Sequence, residues 1–108
     1  MRQNNSIEEL KQVLRLFAEE RDWDQYHTPK NLVMALIVEV AELVEHFQWL
    51  TPEQSLSIPQ HKKQEIVDEV ADILIYLTRF SDLMEIDLLE SAFQKVIKNE
   101  SKCPKKSA

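Results

Sequence analysis

Two pairs of acidic residues interrupt two apolar stretches of this chain. Glu39 and Glu42 lie within IVEVAELVEHFQWL (residues 37–50), and Glu69 and Asp72 within VDEVADILIY (67–76). Residues three apart on a helix share a face, so each pair projects together. Their neighbours Val38, Val40, Ala41, Leu43, Val70, Ala71, Ile73 and Leu74 are apolar, which places both pairs in or beside a buried stripe. An ionised carboxylate there costs several kcal/mol unless a positive group compensates it. Were the two segments antiparallel neighbours, the pairs would face each other, and four close carboxylates would raise one another's pKa values. A divalent cation removes that repulsion. All-oxygen ligation suits Mg²⁺, with Mn²⁺ as a substitute, and a cation that keeps exchangeable waters suits a phosphate-bearing substrate. The plainer alternative is a solvated acidic face paired with Lys62, Lys63 or Arg79. One E-x-x-E spacing would favour that alternative; two, each interrupting an apolar stripe, favour the metal. A ferritin-like di-iron site does not fit, because His46 follows Glu42 by four residues rather than three and the second segment offers only His61.

The elements that must position these acids are helical. Ser6-Ile7-Glu8-Glu9 has the form of a capping box ahead of Ile7, Leu10, Val13, Leu14 and Phe17, predicting a first helix over about 7–22. DWDQYHTP reads as an aromatic-rich loop. Thr28 before Pro29 supplies an N-cap and an N1 proline for a second helix over about 29–49. Its LVMALIV half is apolar on all sides, the mark of a helix surrounded by protein. The connector LTPEQSLSIPQHKK carries two prolines and no periodicity. A third helix over about 60–84 carries Ile66, Val70, Ile73, Leu74, Leu77 and Phe80, and Asp87 caps a fourth over about 88–100. No alternating stretch signals a strand. The expected fold is all-α, a four-helix arrangement whose remaining apolar surface is covered by a homo-oligomer, a dimer or a dimer of dimers.

Composition narrows the function classes. The 108 residues are expected to form one domain over 1–104, followed by a short basic tail at 105–108. A net charge of −6 argues against a nucleic-acid polymer as partner. The absence of glycine excludes glycine-rich phosphate loops and a Rossmann fingerprint. The single cysteine, Cys103, leaves no intramolecular disulfide or cysteine-rich zinc cluster. With no apolar run near ~20 residues and no signal-like start, the expected location is the cytoplasm, without a membrane partner.

The order E39-V-A-E42, 26 intervening residues, then E69-V-A-D72 resembles the E-x-x-E…E-x-x-D signature of the all-α nucleoside triphosphate pyrophosphatases, the MazG-like superfamily. FAEERDWDQYHTPKNLVMALIVEVAELVEHFQWL and EVADILIYLTRFSDLMEIDL extend the likeness toward the dCTP pyrophosphatase branch, through KVIKNESKCP and over about 7–104. The resemblance implies Mg²⁺-dependent hydrolysis of a nucleoside triphosphate, dCTP or a modified dCTP, to the monophosphate and pyrophosphate. It implies that Glu39, Glu42, Glu69 and Asp72 are both the metal ligands and the catalytic set, with Glu45 continuing the acidic series. It implies further that Trp23, His27 and Trp49 line a nucleobase pocket, that Asn31 contacts the base region, that Tyr76 lies close to the sugar, and that Lys95 and Asn99 reach the phosphates. The chain departs from the pattern at Lys102-Cys103, where arginine and tyrosine are common, and at Ala41, where glycine is frequent. Other readings stay open: the same chemistry on dUTP or another nucleotide, a nucleotide or metal sensor without turnover, and a non-catalytic helical interaction module indifferent to divalent ions.

Overall fold

Five α-helices run through residues 6–106, the part of the chain that the computed structural model describes: α1 (Ile7–Glu20), α2 (Pro29–Glu45), α3 (Pro52–Ser55), α4 (Gln60–Leu83) and α5 (Leu88–Lys102). No strand occurs among the described residues. Three of the long helices begin where the sequence supplies a cap. Ser6 Oγ accepts the Glu9 N–H at 3.0 Å, Thr28 Oγ1 that of Asn31 at 3.1 Å, and Asp87 Oδ1 that of Glu90 at 3.1 Å, each satisfying an N–H the helix cannot pair internally.

Two expectations are corrected at the end of the second helix. The chain leaves helical geometry after Glu45, and residues 46–49 form turns. The connector is not irregular throughout: Thr51 and Gln54 form a reciprocal capping box, at 3.1 and 2.9 Å, around the single turn α3 with Pro52 at its start. T-P-E-Q was the signal for it, one turn too short to show periodicity. The arrangement therefore has five helices rather than four.

The C-termini of α1 and α4 share a device unexpected in a chain without glycine. After α1, Asp22 adopts φ 56° while Trp23 N–H bonds to Ala18 C=O at 2.9 Å and Asp22 N–H to Glu19 C=O at 3.1 Å. After α4, Glu85 adopts φ 57° while Ile86 N–H bonds to Ser81 C=O at 2.8 Å and Glu85 N–H to Asp82 C=O at 3.1 Å. Both are Schellman caps, whose left-handed position glycine usually occupies. The first aims Trp23 back along α1, where its ring meets Phe17 edge-on at 5.5 Å.

α4 is the central element, packed against α2 and α1. The pairs His46–Lys62, Glu39–Glu69 and His27–Arg79 run backwards along α2 and its flanking residues while they run forwards along α4, so the two helices are antiparallel. Ala18, Leu32, Thr78, Arg79 and Ser81 are buried. The expectation that protein surrounds α2 on every side is not met within one chain, since Val33, Met34, Ile37 and Val38 are exposed. α5 leaves the bundle after residue 87 and is exposed from Leu89 onward, with Phe93, Val96 and Ile97 open to solvent. The accessible surface is 8836 Å², against about 6,200 Å² for a folded monomer of this mass. The radius of gyration is 17.2 Å, against about 13 Å for a compact chain of this length.

Candidate functional site

Glu39 and Glu42 on α2 face Glu69 and Asp72 on α4. Carboxylate oxygens of Glu39, Glu69 and Asp72 all lie within 4.8 Å of one another. Glu42 lies at the edge of this trio, and its carboxyl acts on those of both Glu39 and Glu69. All four side chains are half-buried. Oε2 of Glu69 is inaccessible to solvent and accepts no hydrogen bond, an expensive condition for an acceptor-only group. Desolvation first, then the neighbouring Glu42 and Glu39, push the Glu69 carboxyl up to about 7. Glu39 is raised as well, mainly by desolvation and further by the charges of Glu42 and Asp72. Tyr76, one turn beyond Asp72, has its phenol raised by burial and by Glu39 and Asp72, which places it beside the cluster.

Two of the cations that could have compensated these acids, Lys62 and Arg79, are engaged elsewhere. Lys62 pairs with Glu65 at 3.7 Å and contacts His46 Nδ1 at 3.4 Å; Arg79 pairs with Asp24 and Asp82. Mutual repulsion, an orphaned oxygen and an all-carboxylate donor set fit a hard divalent cation. Glu45, exposed on the last turn of α2, is not part of the trio.

A second group forms where the loop before α2 meets α4. Trp23 lies 5.9 Å from His27 with the rings tilted by 47°. His27 Nδ1 accepts from Arg79 Nε at 3.2 Å, and Asp24 Oδ1 from Arg79 Nη2 at 2.5 Å. Asn31 donates its side-chain amide to Tyr26 C=O at 2.9 Å, which ties the loop to the first turn of α2. Trp49 stands apart, 86 % exposed on the turn after α2. Lys95 and Asn99 lie on the exposed α5. One chain therefore gathers the acids with Tyr76, and separately Trp23 with His27, while Trp49, Lys95 and Asn99 are not brought to either.

Sequence reasoning missed Arg15, Asp24, Asp82 and the engagement of Arg79. Asp82 accepts a two-pronged hydrogen bond from Arg15, both distances 2.6 Å, joining α1 to α4. The one available signal was Arg15 interrupting the apolar V-L-R-L-F run of α1.

The sequence matches the profile of the MazG-like family over residues 34–108, which includes all four acids. The chain belongs to the MazG-like family. It is 34 % identical over 101 residues to dCTP pyrophosphatase 1 of Mus musculus, covering 92 % of this chain and 59 % of that protein. With dCTP pyrophosphatase 1 of Homo sapiens it shares 35 % over 103 residues, covering 92 % and 59 %. This MazG-like chain thus spans about three fifths of the length of those curated relatives. Among solved structures, a pyrophosphatase from Archaeoglobus fulgidus DSM 4304 superposes with a TM-score of 0.87 at 42 % identity, over 97 % of this chain and 98 % of that one. No helix among the described residues is long and apolar enough to cross a membrane.

Proposed function

We infer that this MazG-like chain is a nucleoside triphosphate pyrophosphohydrolase, acting by preference on dCTP or a modified dCTP. The observation that carries the reading is the meeting of Glu39, Glu69 and Asp72 with Glu42 beside them, compensated by none of the ion pairs formed by Lys62 or Arg79. Likeness to dCTP pyrophosphatases supports the substrate class.

The overall reaction balances simply: water adds to the α-phosphorus, the bond to the β-bridging oxygen breaks, and pyrophosphate leaves beside the nucleoside monophosphate. Glu39, Glu42, Glu69 and Asp72 would hold Mg²⁺, with Mn²⁺ as a substitute. Such an ion supplies charge neutralisation to the phosphate oxygens and to the departing pyrophosphate. The residues do the rest. A carboxylate of this set accepts the proton of the attacking water, and Tyr76 bounds the sugar end of the site. Trp23 offers its indole face to the base with His27 beside it, and Asn31 holds their loop in place. Lys95 and Asn99, a turn apart on α5, are positioned to take the phosphates only when assembly brings α5 to an acid cluster, and Trp49 joins the base pocket on the same condition. We assign the excess surface, ~2,600 Å² above that of a compact monomer, to a homo-oligomeric interface, a dimer or a dimer of dimers. The cytoplasm suits an enzyme whose substrate is a nucleotide pool.

Incubating the protein with each standard and modified nucleoside triphosphate, with Mg²⁺ or with chelator, tests the reading. Mg²⁺-dependent release of pyrophosphate, strongest with a cytosine deoxynucleotide and lost in Glu42→Gln, is the expected result. Release from another base keeps the chemistry and moves the substrate. No pyrophosphate from any nucleotide, with a melting temperature indifferent to Mg²⁺, leaves a helical interaction module, the reading that the many exposed apolar side chains favour.

A further inference from the structure

Arg79 is only 7 % exposed, and a guanidinium cannot escape burial by losing its proton. Its surroundings must compensate it. Asp24 Oδ1 takes Nη2 at 2.5 Å, Asp82 Oδ2 lies 3.9 Å from Nη1, and Nε is directed to His27 Nδ1 at 3.2 Å. Asp82 is shared with Arg15. Two guanidinium groups and two carboxylates cancel, so the network carries no spare negative charge for an imidazolium.

The Arg79–His27 bond has one possible direction. A guanidinium only donates, so His27 Nδ1 must accept, and it can accept only without a proton. The neutral ring then carries its hydrogen on Nε2. Among the charged groups that act on this ring, Arg79 from α4 opposes a proton and Asp24 from the loop favours one; burial is the larger influence and lowers the His27 pKa. Trp23 stands beside the same ring, its centroid 5.9 Å away, and is propped edge-on by Phe17.

We propose that Arg79 is a positioning residue that holds His27 as the neutral Nε2–H tautomer, so that the pocket beside Trp23 presents a hydrogen-bond donor and no imidazole acceptor to the nucleobase. This rests on the reading of Trp23 and His27 as the base pocket. Its consequence is selectivity. The Watson–Crick edge of cytosine accepts at N3 and O2 and donates from its N4 amine, whereas that of uracil and thymine accepts at O2 and O4 and carries a hydrogen on N3. A fixed N–H donor set against N3 matches cytosine and opposes uracil and thymine, because a polar group left wrongly paired costs binding. The tautomer that accepts at Nε2 would reverse the preference.

Long-range ¹H–¹⁵N spectra of the full-length, assembled protein distinguish the two tautomers and the imidazolium at neutral pH. The expected wild-type pattern for His27 is a protonated Nε2 and a hydrogen-bonded, unprotonated Nδ1. In Arg79→Gln that pattern relaxes toward a mixture, and KM for dCTP rises roughly tenfold with a smaller change in kcat, while KM for dUTP rises less. A protonated Nδ1 or an imidazolium in the wild type overturns the proposal, and this readout needs no variant to fold. So does an unchanged tautomer in Arg79→Gln, or a changed tautomer with the dCTP-to-dUTP ratio intact. His27→Ala separates the two layers: if it leaves KM for dCTP unaltered, the base-pocket reading itself fails; if it raises KM while Arg79→Gln leaves the tautomer alone, only the role of Arg79 fails.

Discussion

The four acids, proposed above as metal ligands, are destabilising by themselves. Desolvation and mutual repulsion raise Glu69 to about 7 and raise Glu39, so the ionised cluster opposes folding wherever no cation compensates it. Glu69→Gln removes one of the repelling charges. In chelator its melting temperature is expected to rise above wild type, while the rise expected from Mg²⁺ in the wild type is lost; scanning fluorimetry with and without Mg²⁺ checks both. The sign with pH follows from the raised value. In chelator the cluster contributes most below the unfolded carboxylate range, and that contribution is lost as pH climbs through about 7. Asp82 has the opposite sign. The hydrogen bonds from Arg15 first, and its charge, lower the Asp82 carboxyl, so its stabilisation is present above the usual carboxylate range and lost only as pH falls through its lowered value. Asp82→Asn leaves Arg15 and the buried Arg79 short of a counter-charge and should cost about 1–3 kcal/mol in chemical denaturation at neutral pH. The acidic spacing was legible in sequence because helical periodicity places three-apart residues together. The Arg15–Asp82–Arg79–Asp24 network was not: only Arg79 and Asp82 are three apart on α4, and the links to Asp24 and Arg15 span 55 and 67 residues.

At the scale of elements, the capping residues placed three helix starts to the residue, because a cap is a local hydrogen bond between a side chain and an N–H three positions on. Helix ends were less legible. Glycine punctuates most such ends, and this chain has none; Asp22 and Glu85 take the left-handed position instead. Aspartate tolerates it better than glutamate, whose longer side chain has no local hydrogen bond to offer there. Glu85→Gly is therefore expected to stabilise the chain by about 0.5–1 kcal/mol, the relief of backbone strain exceeding the added freedom of the unfolded chain. A higher denaturation midpoint with an unchanged slope is the corresponding observation. The second helix was drawn four residues too long because H-F-Q-W continues the apolar periodicity, and periodicity does not register that the backbone has turned.

At the scale of the whole molecule, a single chain leaves much apolar surface open. Apolar side chains on α2 and α5, among them Met34, Ile37, Val38, Phe93, Val96 and Ile97, are exposed together with an excess surface of obligate-interface size. Light scattering coupled to gel filtration should report an oligomer at micromolar concentration, with a melting temperature that rises with protein concentration. Ile37→Glu, which sets a charge at a position 62 % exposed in one chain, is expected to dissociate or unfold it. A monomer that melts at the same temperature as the wild type would overturn the assembly.

By itself the sequence determined the helical class, the starts of the four long helices, the pairing of acids on two helices and the family, because each is written in local spacing or in residue order. The tertiary structure decided which acids converge, that none of the ion pairs of Lys62 or Arg79 reaches them, and that Arg79 turns to His27 and Asp24 instead. Those outcomes depend on how α4 is rotated against α2 and α1, and a rotation is set by the sum of all packing contacts rather than by any short segment.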